Sequence, residues 1–412
     1  MKGMERKVIF FITLSVLVFG IPALGCAASD SGLNKKERII LHQARKALDK
    51  DELDKSRNIV MSYLQEDPKN VSPQIFLFLG NIWHQKDKPD RARKAYKKGL
   101  QSNASNVSLH LNYAVSCYQT QKYQESGKHF QMAYDLQKNS NKESESKLLY
   151  KSASAYYQGQ EYTAVKKVLN KLLSESDQVS QDWLTLLVQT HINLKEWNKA
   201  EKIANRLIDK DPLNKKYWRI LSKCNFQQED YSSAASNLEI AYYIEAPEDL
   251  SQWKQLADIY LYLNAPLKAA RFYKKGNGKS VSAKEYEKLA DIYSQALRYG
   301  KAIEYMDKAL QKEASAERYL KKGNYYYEQR KFDRAIDCFQ KSAQLDSSKG
   351  KVHLLTGFAA CEIDRWELAK KSFQKASGFD QYRSWAKGGL AFVQDILEAK
   401  KAASQEMVLA QN

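Results

Sequence analysis

The six histidines are the first residues to consider as carriers of chemistry. They stand at His42, His84, His110, His129, His191 and His353. A zinc site would need histidines paired at ligand spacing, as in HExxH, and no such pair occurs among them. We therefore predict that the chain holds no metal and no cofactor on its histidines.

A second candidate is Gly278-Lys279-Ser280, which has the form of the end of a phosphate-binding loop. The full pattern requires a glycine where Tyr273 stands and a β-strand before the loop, and the sequence offers neither. No GxSxG elbow and no pair of acids stand out elsewhere. The sequence therefore predicts a protein that is not an enzyme and has no small-molecule substrate. An enzyme with an unrecognised site is the alternative left open.

The cysteines beyond residue 26 show no CxxC pair and no metal-ligand spacing. They are Cys117, Cys224, Cys338 and Cys361, each in a different predicted helix. We expect them to be small buried hydrophobes. A disulfide between Cys338 and Cys361 stays open in an oxidising compartment.

A repeat organises the chain around these residues. Gly323, Ala335 and Phe339 recur 34 residues later as Gly357, Ala369 and Phe373. A 34-residue period with these small and aromatic anchors resembles the tetratricopeptide repeat (TPR), a helix-turn-helix unit. Low glycine and proline content, 17 and 7 residues, also argues against a turn-rich β fold.

The repeat can be followed along the chain if Gly323 is taken as repeat position 8. Small residues then fill position 8 at Ala44, Gly80, Ala114, Ala153, Val188, Ser222, Ala257, Ala290, Gly323 and Gly357. Position 20, twelve residues later, is also small, and position 24 is mostly large and apolar. We expect positions 8 and 20 to lie where the two helices of one repeat cross, and position 24 to fill the groove between neighbouring repeats.

This register predicts an all-α fold, a right-handed TPR superhelical solenoid of about ten repeats over 37–383. A capping helix over 384–403 and a flexible tail over 404–412 follow. Trp385, Leu390, Val393, Ile396 and Leu397 are expected on one side of the cap. One gap is 39 residues long, and its polar stretch at 139–146 is predicted to loosen the array into two halves.

The N-terminus predicts export. Lys2, Arg6 and Lys7 precede an apolar run over 8–19, and small residues follow, which indicates a signal peptide over 1–25 and a linker over 26–36. The segment ending at Cys26 resembles a lipobox with two departures from its pattern, Ala23 and Leu24. Lipidation of Cys26 and ordinary cleavage nearby both stay open, as does an uncleaved anchor. We expect a periplasmic protein, with a membrane tether if Cys26 is lipidated.

Charge restricts the partners. The chain carries +18, and removing 1–25 leaves +16, because those residues contain three basic side chains and one acid. This balance favours acidic proteins, anionic lipid or a cell-wall polyanion. Nucleic acid is disfavoured by the export signal.

The TPR resemblance implies that the first helix of each repeat lines an inner groove, at positions 2, 5, 9, 12 and 13. Asn81, Asn112, Lys147 and Lys151 there partly resemble the TPR carboxylate clamp, although Leu77 stands where the clamp has lysine. A second basic cluster is formed by Lys216, Arg219, Lys223 and Lys254, and we expect the acids Asp258, Glu287 and Asp291 to face it. The two asparagines and the six basic residues named here are the candidate partner-binding residues.

Position 13 carries a series of amides and other polar side chains. It reads Gln85, Gln119, Gln158, Asn193, Gln227, Tyr262, Gln295, Glu328 and Glu362. Such a ladder could hydrogen-bond an extended peptide or a partner helix. The other interpretation, that polar residues simply end each first helix, stays open.

A narrower resemblance lies in the C-terminal two-thirds. It is carried by Tyr217-Trp218, Leu221-Ser222, Leu238-Glu239, Ala241-Tyr242, Pro266-Leu267-Lys268-Ala269-Ala270 and the helix over 386–393. These segments resemble exported bacterial TPR proteins regarded as components of TonB systems. The resemblance implies a periplasmic scaffold that binds protein partners and supports energy transduction by TonB, ExbB and ExbD. A component of another envelope assembly (pilus, secretion or outer-membrane biogenesis) and a cell-wall polymer binding protein are the alternatives.

Overall fold

A computed structural model describes residues 32–66, 69–138 and 142–410, without the side chains of 142–144 and 405–410. The predicted signal peptide (1–25), Cys26 and the first part of the predicted linker (26–31) lie outside the described residues, so the expectations about export and lipidation remain predictions.

The described residues form twenty-one α-helices and one short 3-10 helix, Asp380–Tyr382, with no strand. The α-helices are α1 (Lys35–Leu48), α2 (Leu53–Gln65), α3 (Pro73–Gln85), α4 (Pro89–Ser102), α5 (Val107–Gln119), α6 (Tyr123–Gln137), α7 (Lys142–Gln158), α8 (Tyr162–Glu175), α9 (Gln181–Asn193), α10 (Trp197–Lys210), α11 (Lys215–Gln227), α12 (Tyr231–Ile244), α13 (Ser251–Tyr262), α14 (Pro266–Lys275), α15 (Ala283–Gln295), α16 (Tyr299–Lys312), α17 (Ala316–Glu328), α18 (Phe332–Leu345), α19 (Gly350–Cys361), α20 (Trp366–Ser377) and α21 (Arg383–Ala410). The predicted all-α class is confirmed.

Consecutive helices pair as ten hairpins, from α1 with α2 to α19 with α20. We call the first helix of each hairpin helix A and the second helix B. The chain divides into two compact units after Pro212. The first unit contains hairpins one to five. The second contains hairpins six to ten and α21. Within each unit, successive hairpins stack as in a TPR solenoid.

The helices of each hairpin cross at the predicted small residues. Ala44 and Ser56 are fully buried, and the Ser56 hydroxyl donates to the Ala44 carbonyl at 2.8 Å. The same bond joins Ser126 to Ala114 at 2.7 Å. In hairpin six it runs the other way, from the Ser222 hydroxyl to the Ala234 carbonyl. Positions 8 and 20 therefore meet where predicted. A serine at either position donates its hydroxyl to a backbone carbonyl of the other helix of the hairpin.

Every turn from helix A to helix B has the same backbone geometry. The residue at repeat position 15 has a positive φ in all ten hairpins, and none of these residues is glycine. They are Asp51, Asp87, Gln121, Gln160, Lys195, Glu229, Asn264, Leu297, Arg330 and Asp364. Helix B starts two residues later in each hairpin, with Pro89 and Pro266 as first helical residues in two of them.

Residues 139–141 of the segment predicted to loosen the array, 139–146, lie outside the described residues, so this expectation remains a prediction. Residues 142–146 belong to α7, which is longer than the other A helices, so part of the insertion extends a helix. The core also continues across it, because Phe130 and Tyr134 of α6 share one apolar cluster with Leu149 of α7. The division into two compact units lies after Pro212.

The C-terminal helix differs from the prediction in two ways. It continues to Ala410, so residues 404–410 of the predicted tail are helical. Ala386 and Val393 are buried against hairpin ten, whereas Trp385 is 69% exposed. Trp385 was expected on the same side of the helix as Val393, but it lies about 100° around the helix from Ala386 and faces solvent.

Candidate functional site

Helix α11 presents the basic cluster predicted from the sequence. Lys216, Arg219 and Lys223 are spaced three and four residues apart, so they lie on one face of the helix. The Lys216 side chain is exposed, and those of Arg219 and Lys223 are half-buried. We call these three residues the basic wall.

Two cations of the basic wall form no ion pair with an acid in the described part of the chain. Within the described ranges of the chain, Lys216 and Lys223 form no ion pair, whereas the adjacent Lys215 pairs with Glu245. Lys216 and Lys223 are therefore available to an anionic group from outside the chain.

Lys254 was predicted to belong to the same cluster, but its charge is already compensated. Its Nζ lies 2.5 Å from the Glu285 carboxylate of the next helix A and 5.4 Å from the centre of the Tyr273 ring. This pairing lowers the pKa of Glu285 to about 2. Lys254 therefore fastens hairpin seven to hairpin eight, and it is a poorer partner-binding candidate than Lys216 or Lys223.

Two of the three acids expected to face the basic cluster, Glu287 and Asp291, pair with cations of α17 instead. Glu287 lies 2.8 Å from Lys321 and 3.0 Å from Arg318, both on α17. Asp291 also binds Lys321 at 2.8 Å and accepts from the Tyr325 hydroxyl. Burial raises the pKa of Glu287, but the two cations outweigh it and hold the value below its usual range. Glu287 and Asp291 therefore join hairpins eight and nine.

A small cleft lies beside Arg219, with a volume of about 280 Å³. It is formed by the start of α11, the end of α12 and the loop after it, and Tyr242 and Gln252 line it together with Arg219. Glu245 and Glu248 also border the cleft, so its charges are mixed. This arrangement suits a polar side chain of a partner better than a free anion.

Asn81 and Asn112, two of the four residues that partly resemble a carboxylate clamp, are hydrogen-bonded to each other. Asn112 is only 9% exposed, and its amide nitrogen donates to the Asn81 oxygen at 3.0 Å. The same Asn81 oxygen accepts from the Tyr96 hydroxyl at 2.8 Å. The two asparagines therefore link hairpins two and three to each other, and gripping a peptide carboxylate would cost these bonds.

Lys147 and Lys151 lie one turn apart on α7. The Lys151 Nζ is 6.0 Å from the centre of the Phe130 ring. Burial lowers the pKa of Lys151, and the positive charge of Lys147 lowers it further. The structure thus places these two lysines close together on α7.

The polar ladder at position 13 marks the ends of the A helices. From Gln85 to Glu328, each position-13 residue is the last residue of its helix A, and Glu362 immediately follows α19. All nine side chains are exposed. This pattern favours the helix-end interpretation, although it leaves these side chains on the surface.

One pair of histidines was missed by sequence spacing. His110 Nδ1 lies 2.8 Å from His129 Nδ1, and His110 Nε2 lies 2.8 Å from the Ala104 carbonyl. Burial and the neighbouring His110 lower the pKa of His129 to about 4. The signal was available, because His110 and His129 stand at positions 4 and 23 of one repeat, on crossing helices. No group of three or more potential metal ligands occurs among the described side chains.

The cysteines of the described chain are thiols, and none of them forms a disulfide. Cys117, Cys224 and Cys338 are buried thiols, and Cys361 is half-buried; Cys338 and Cys361 are not bonded to each other. Burial raises the pKa of Cys338 and Cys361, so neither is an activated nucleophile.

Gly278-Lys279-Ser280 lies in the loop between α14 and α15, with no strand before it in the described chain. In the part of the chain described here, no helix is long and apolar enough to cross a bilayer.

The repeats match known family models over part of the chain. Residues 316–348 match one tetratricopeptide repeat model, and 85–141 and 185–249 match another. The chain therefore contains tetratricopeptide repeats, as the 34-residue period predicted. No curated protein matches the sequence.

Solved structures similar to the chain include three helical repeat proteins. A tetratricopeptide repeat protein from Parabacteroides merdae is 16% identical, with 63% of this chain and 98% of that chain covered and a TM-score of 0.34. YrrB, described as a TPR protein with an unusual peptide-binding site, is 14% identical, covers 51% and 99%, and has a TM-score of 0.35. Yeast Tom70 is 11% identical, covers 91% and 98%, and has a TM-score of 0.33.

Proposed function

We propose that the chain is a non-catalytic scaffold that binds an acidic segment of a partner protein through the basic wall on α11. The observation that carries this proposal is that Lys216 and Lys223 have no acid partner in the described chain, while the lysines beside them do. A cation held on a helix and left without a counter-ion attracts an anionic partner at low desolvation cost.

The contacts around the basic wall also support the binding of an acidic segment. Glu287 and Asp291, which could have competed for the wall, are held by Lys321 and Arg318. The cleft beside Arg219 adds glutamate and amide groups that can bind polar side chains of a partner. The acidic segment would therefore contact Lys216 and Lys223 with its carboxylates and reach the cleft with a neighbouring residue.

We further propose that the chain works in the periplasm, with a tether at Cys26 if that residue is lipidated. The support is the N-terminal sequence pattern of basic residues, apolar run and small residues. Mass spectrometry of the protein purified from the envelope tests both points. A mature chain starting at a lipidated Cys26 supports the tether. An intact Met1 in a cytosolic fraction contradicts export.

Support for TonB, ExbB or ExbD as partners comes from the sequence resemblance in the C-terminal two-thirds. Affinity capture from solubilised envelopes tests this assignment, with residues 27–412 as bait at low and moderate salt. Recovery of TonB, ExbB or ExbD supports it. Recovery of another envelope assembly keeps the scaffold and discards the TonB role, and recovery of wall polymer alone contradicts a protein partner.

A matched pair of variants makes the capture specific to the wall. Lys216→Glu/Lys223→Glu reverses the two unpaired charges, and Lys94→Glu/Lys98→Glu makes the same change in net charge on exposed lysines of α4. We expect the first variant alone to lose the partner. Equal loss from both would mean that net charge, rather than the wall, retains it.

A further inference from the structure

A second basic surface of the molecule lies on helix α14, which is the B helix of hairpin seven. We infer that it is a docking surface for an acidic, amphipathic helix of a partner protein. The surface consists of Lys268, Arg271 and Lys275 of α14 with Tyr243 and Leu250 beside them. We call it the α14 surface. It shares no residue with the basic wall, so either can fail without the other.

The three cations of the α14 surface form one row, each over an aromatic ring. They are spaced three and four residues apart and are all exposed. Lys268 Nζ lies 4.9 Å from the centre of the Tyr260 ring, and the Arg271 guanidinium lies 5.5 Å from that of Tyr243. Lys275 Nζ lies 4.2 Å from Tyr243 and 4.5 Å from Trp253. The rings thus hold the row of cations in place on the helix.

No acid among the described residues pairs with this row. In the described ranges, none of the three cations forms an ion pair with a carboxylate. The carboxylate of Glu239 lies nearby, but it accepts from the Tyr260 hydroxyl at 2.5 Å. Cation–π contacts position a charge without cancelling it, so the row keeps its three positive charges.

Apolar surface continues from the cations. Tyr243 is 47% exposed and packs edge-on against Trp253, with 6.5 Å between ring centres. Leu250 is 42% exposed and borders the end of α14, since a Cβ added to Gly276 would lie 3.0 Å from the Leu250 carbonyl. Two exposed apolar side chains beside a cationic row offer a binding partner both area and charge.

The spacing of the row fits a helix better than a polymer. Seven residues of α14 span about 10 Å, the distance between acids placed seven apart on a partner helix. A helix with acids on one stripe and leucines beside it would pair with the cations and cover Tyr243 and Leu250. A sulfated polysaccharide would match the charges but would leave Leu250 uncovered.

Binding of a labelled synthetic peptide to the full chain tests the inference by fluorescence anisotropy at low salt. The probe is a 21-residue helix of glutamate and leucine stripes, and its control is the same peptide with lysine for glutamate. We expect the acidic probe to bind and Arg271→Glu/Lys275→Glu to weaken it by about tenfold or more. The control Lys202→Glu/Arg206→Glu has the same change in net charge on an exposed part of another B helix, α10, and should change it less than about twofold.

Other outcomes decide against the α14 surface. Equal loss from both charge variants, or no preference for the acidic probe, overturns the inference. Tyr243→Ala should weaken binding at unchanged net charge, and full affinity in that variant contradicts a role for the apolar part. The surface would be assigned to a polyanion instead if dextran sulfate displaced the probe and if its binding were lost in Arg271→Glu/Lys275→Glu. Matching thermal unfolding curves show that each variant is folded.

Discussion

The ring of Phe339 occupies the space that a side chain at Gly323 would need. A Cβ added to Gly323 would lie 2.4 Å from Phe339 Cε1, well inside van der Waals contact. The same arrangement joins Gly80 to Tyr96 and Gly357 to Phe373. An aromatic residue at position 24 therefore also fills the gap left by glycine at position 8 of its own repeat.

This contact predicts that Gly323→Ala destabilises the second unit. The added methyl group must displace a fully buried ring, so the free energy of unfolding should fall by about 1–3 kcal/mol. Gly300→Ala is the matched control, because an added Cβ there meets nothing within 4 Å. Urea unfolding of both variants measures the difference. A Gly323→Ala protein as stable as the Gly300→Ala protein would contradict the observed packing.

The turns predict a stabilising substitution. Leu297 has a φ of 56°, so its backbone is strained, and its side chain is 71% exposed and adds little packing. Leu297→Gly should raise the free energy of unfolding by about 0.5–1 kcal/mol. Ala296→Gly, at a φ of −80°, should lower it by a similar amount. Thermal unfolding compares them, and a Leu297→Gly protein less stable than Ala296→Gly would contradict the left-handed turn.

The histidine pair predicts a loss of stability in mild acid. The pKa of His129 is lowered from 6.5 to about 4 by burial and by His110, with Lys128 adding to the effect and Glu125 opposing it. The unfolded chain therefore takes up a proton first as the pH falls. The contribution of His129 to the free energy of unfolding is complete above about pH 6.5 and is lost as the pH falls towards 4.

The measurement is urea unfolding at pH 7 and pH 4.5. His129 should contribute a loss of about 1–2 kcal/mol between them, after allowance for solvent screening of this half-exposed ring. In His129→Gln this part of the pH dependence should disappear, while the carboxylates keep theirs. An identical pH dependence in both proteins would contradict a neutral His129 with a lowered pKa.

Helix α21 offers two adjacent glycines as a test of its docking. A Cβ added to Gly389 would lie 2.7 Å from the Phe373 ring, whereas one added to Gly388 meets nothing within 4 Å. Gly389→Ala should therefore destabilise the chain by about 1–3 kcal/mol, and Gly388→Ala should be neutral or stabilising. Thermal unfolding followed by tryptophan fluorescence measures both. Equal effects would mean that α21 does not pack on hairpin ten as observed.

The sequence predicted what depends on side-chain size at fixed spacing. Ala44, Ser56 and their equivalents are buried where predicted, because only small residues fit a helix crossing. The left-handed residues were not predicted, since aspartate, leucine and arginine at position 15 share no property that indicates a turn. Trp385 was misplaced because a one-residue shift in helix register moves a side chain by about 100°.

The candidate site was predictable only in part. The stripe of Lys216, Arg219 and Lys223 follows from helical spacing and was predicted. Which cations stay unpaired depends on contacts between neighbouring repeats, and the sequence alone did not predict that Lys254 would meet Glu285 or that Glu287 would meet Lys321. The cationic row of α14 was readable from its spacing, but the aromatic rings beneath it come from other helices.

In the proposed function, Lys216 and Lys223 of α11 hold an acidic protein partner. Calorimetric titration of the purified partner from the envelope capture tests it most directly, with the wild-type chain, Lys216→Glu/Lys223→Glu and Lys94→Glu/Lys98→Glu compared at two salt concentrations. We expect the wall variant to weaken binding by about tenfold or more, the α4 variant to bind nearly as the wild type does, and salt to weaken the wild-type complex. Wild-type affinity in the wall variant, at either salt concentration, would contradict the account.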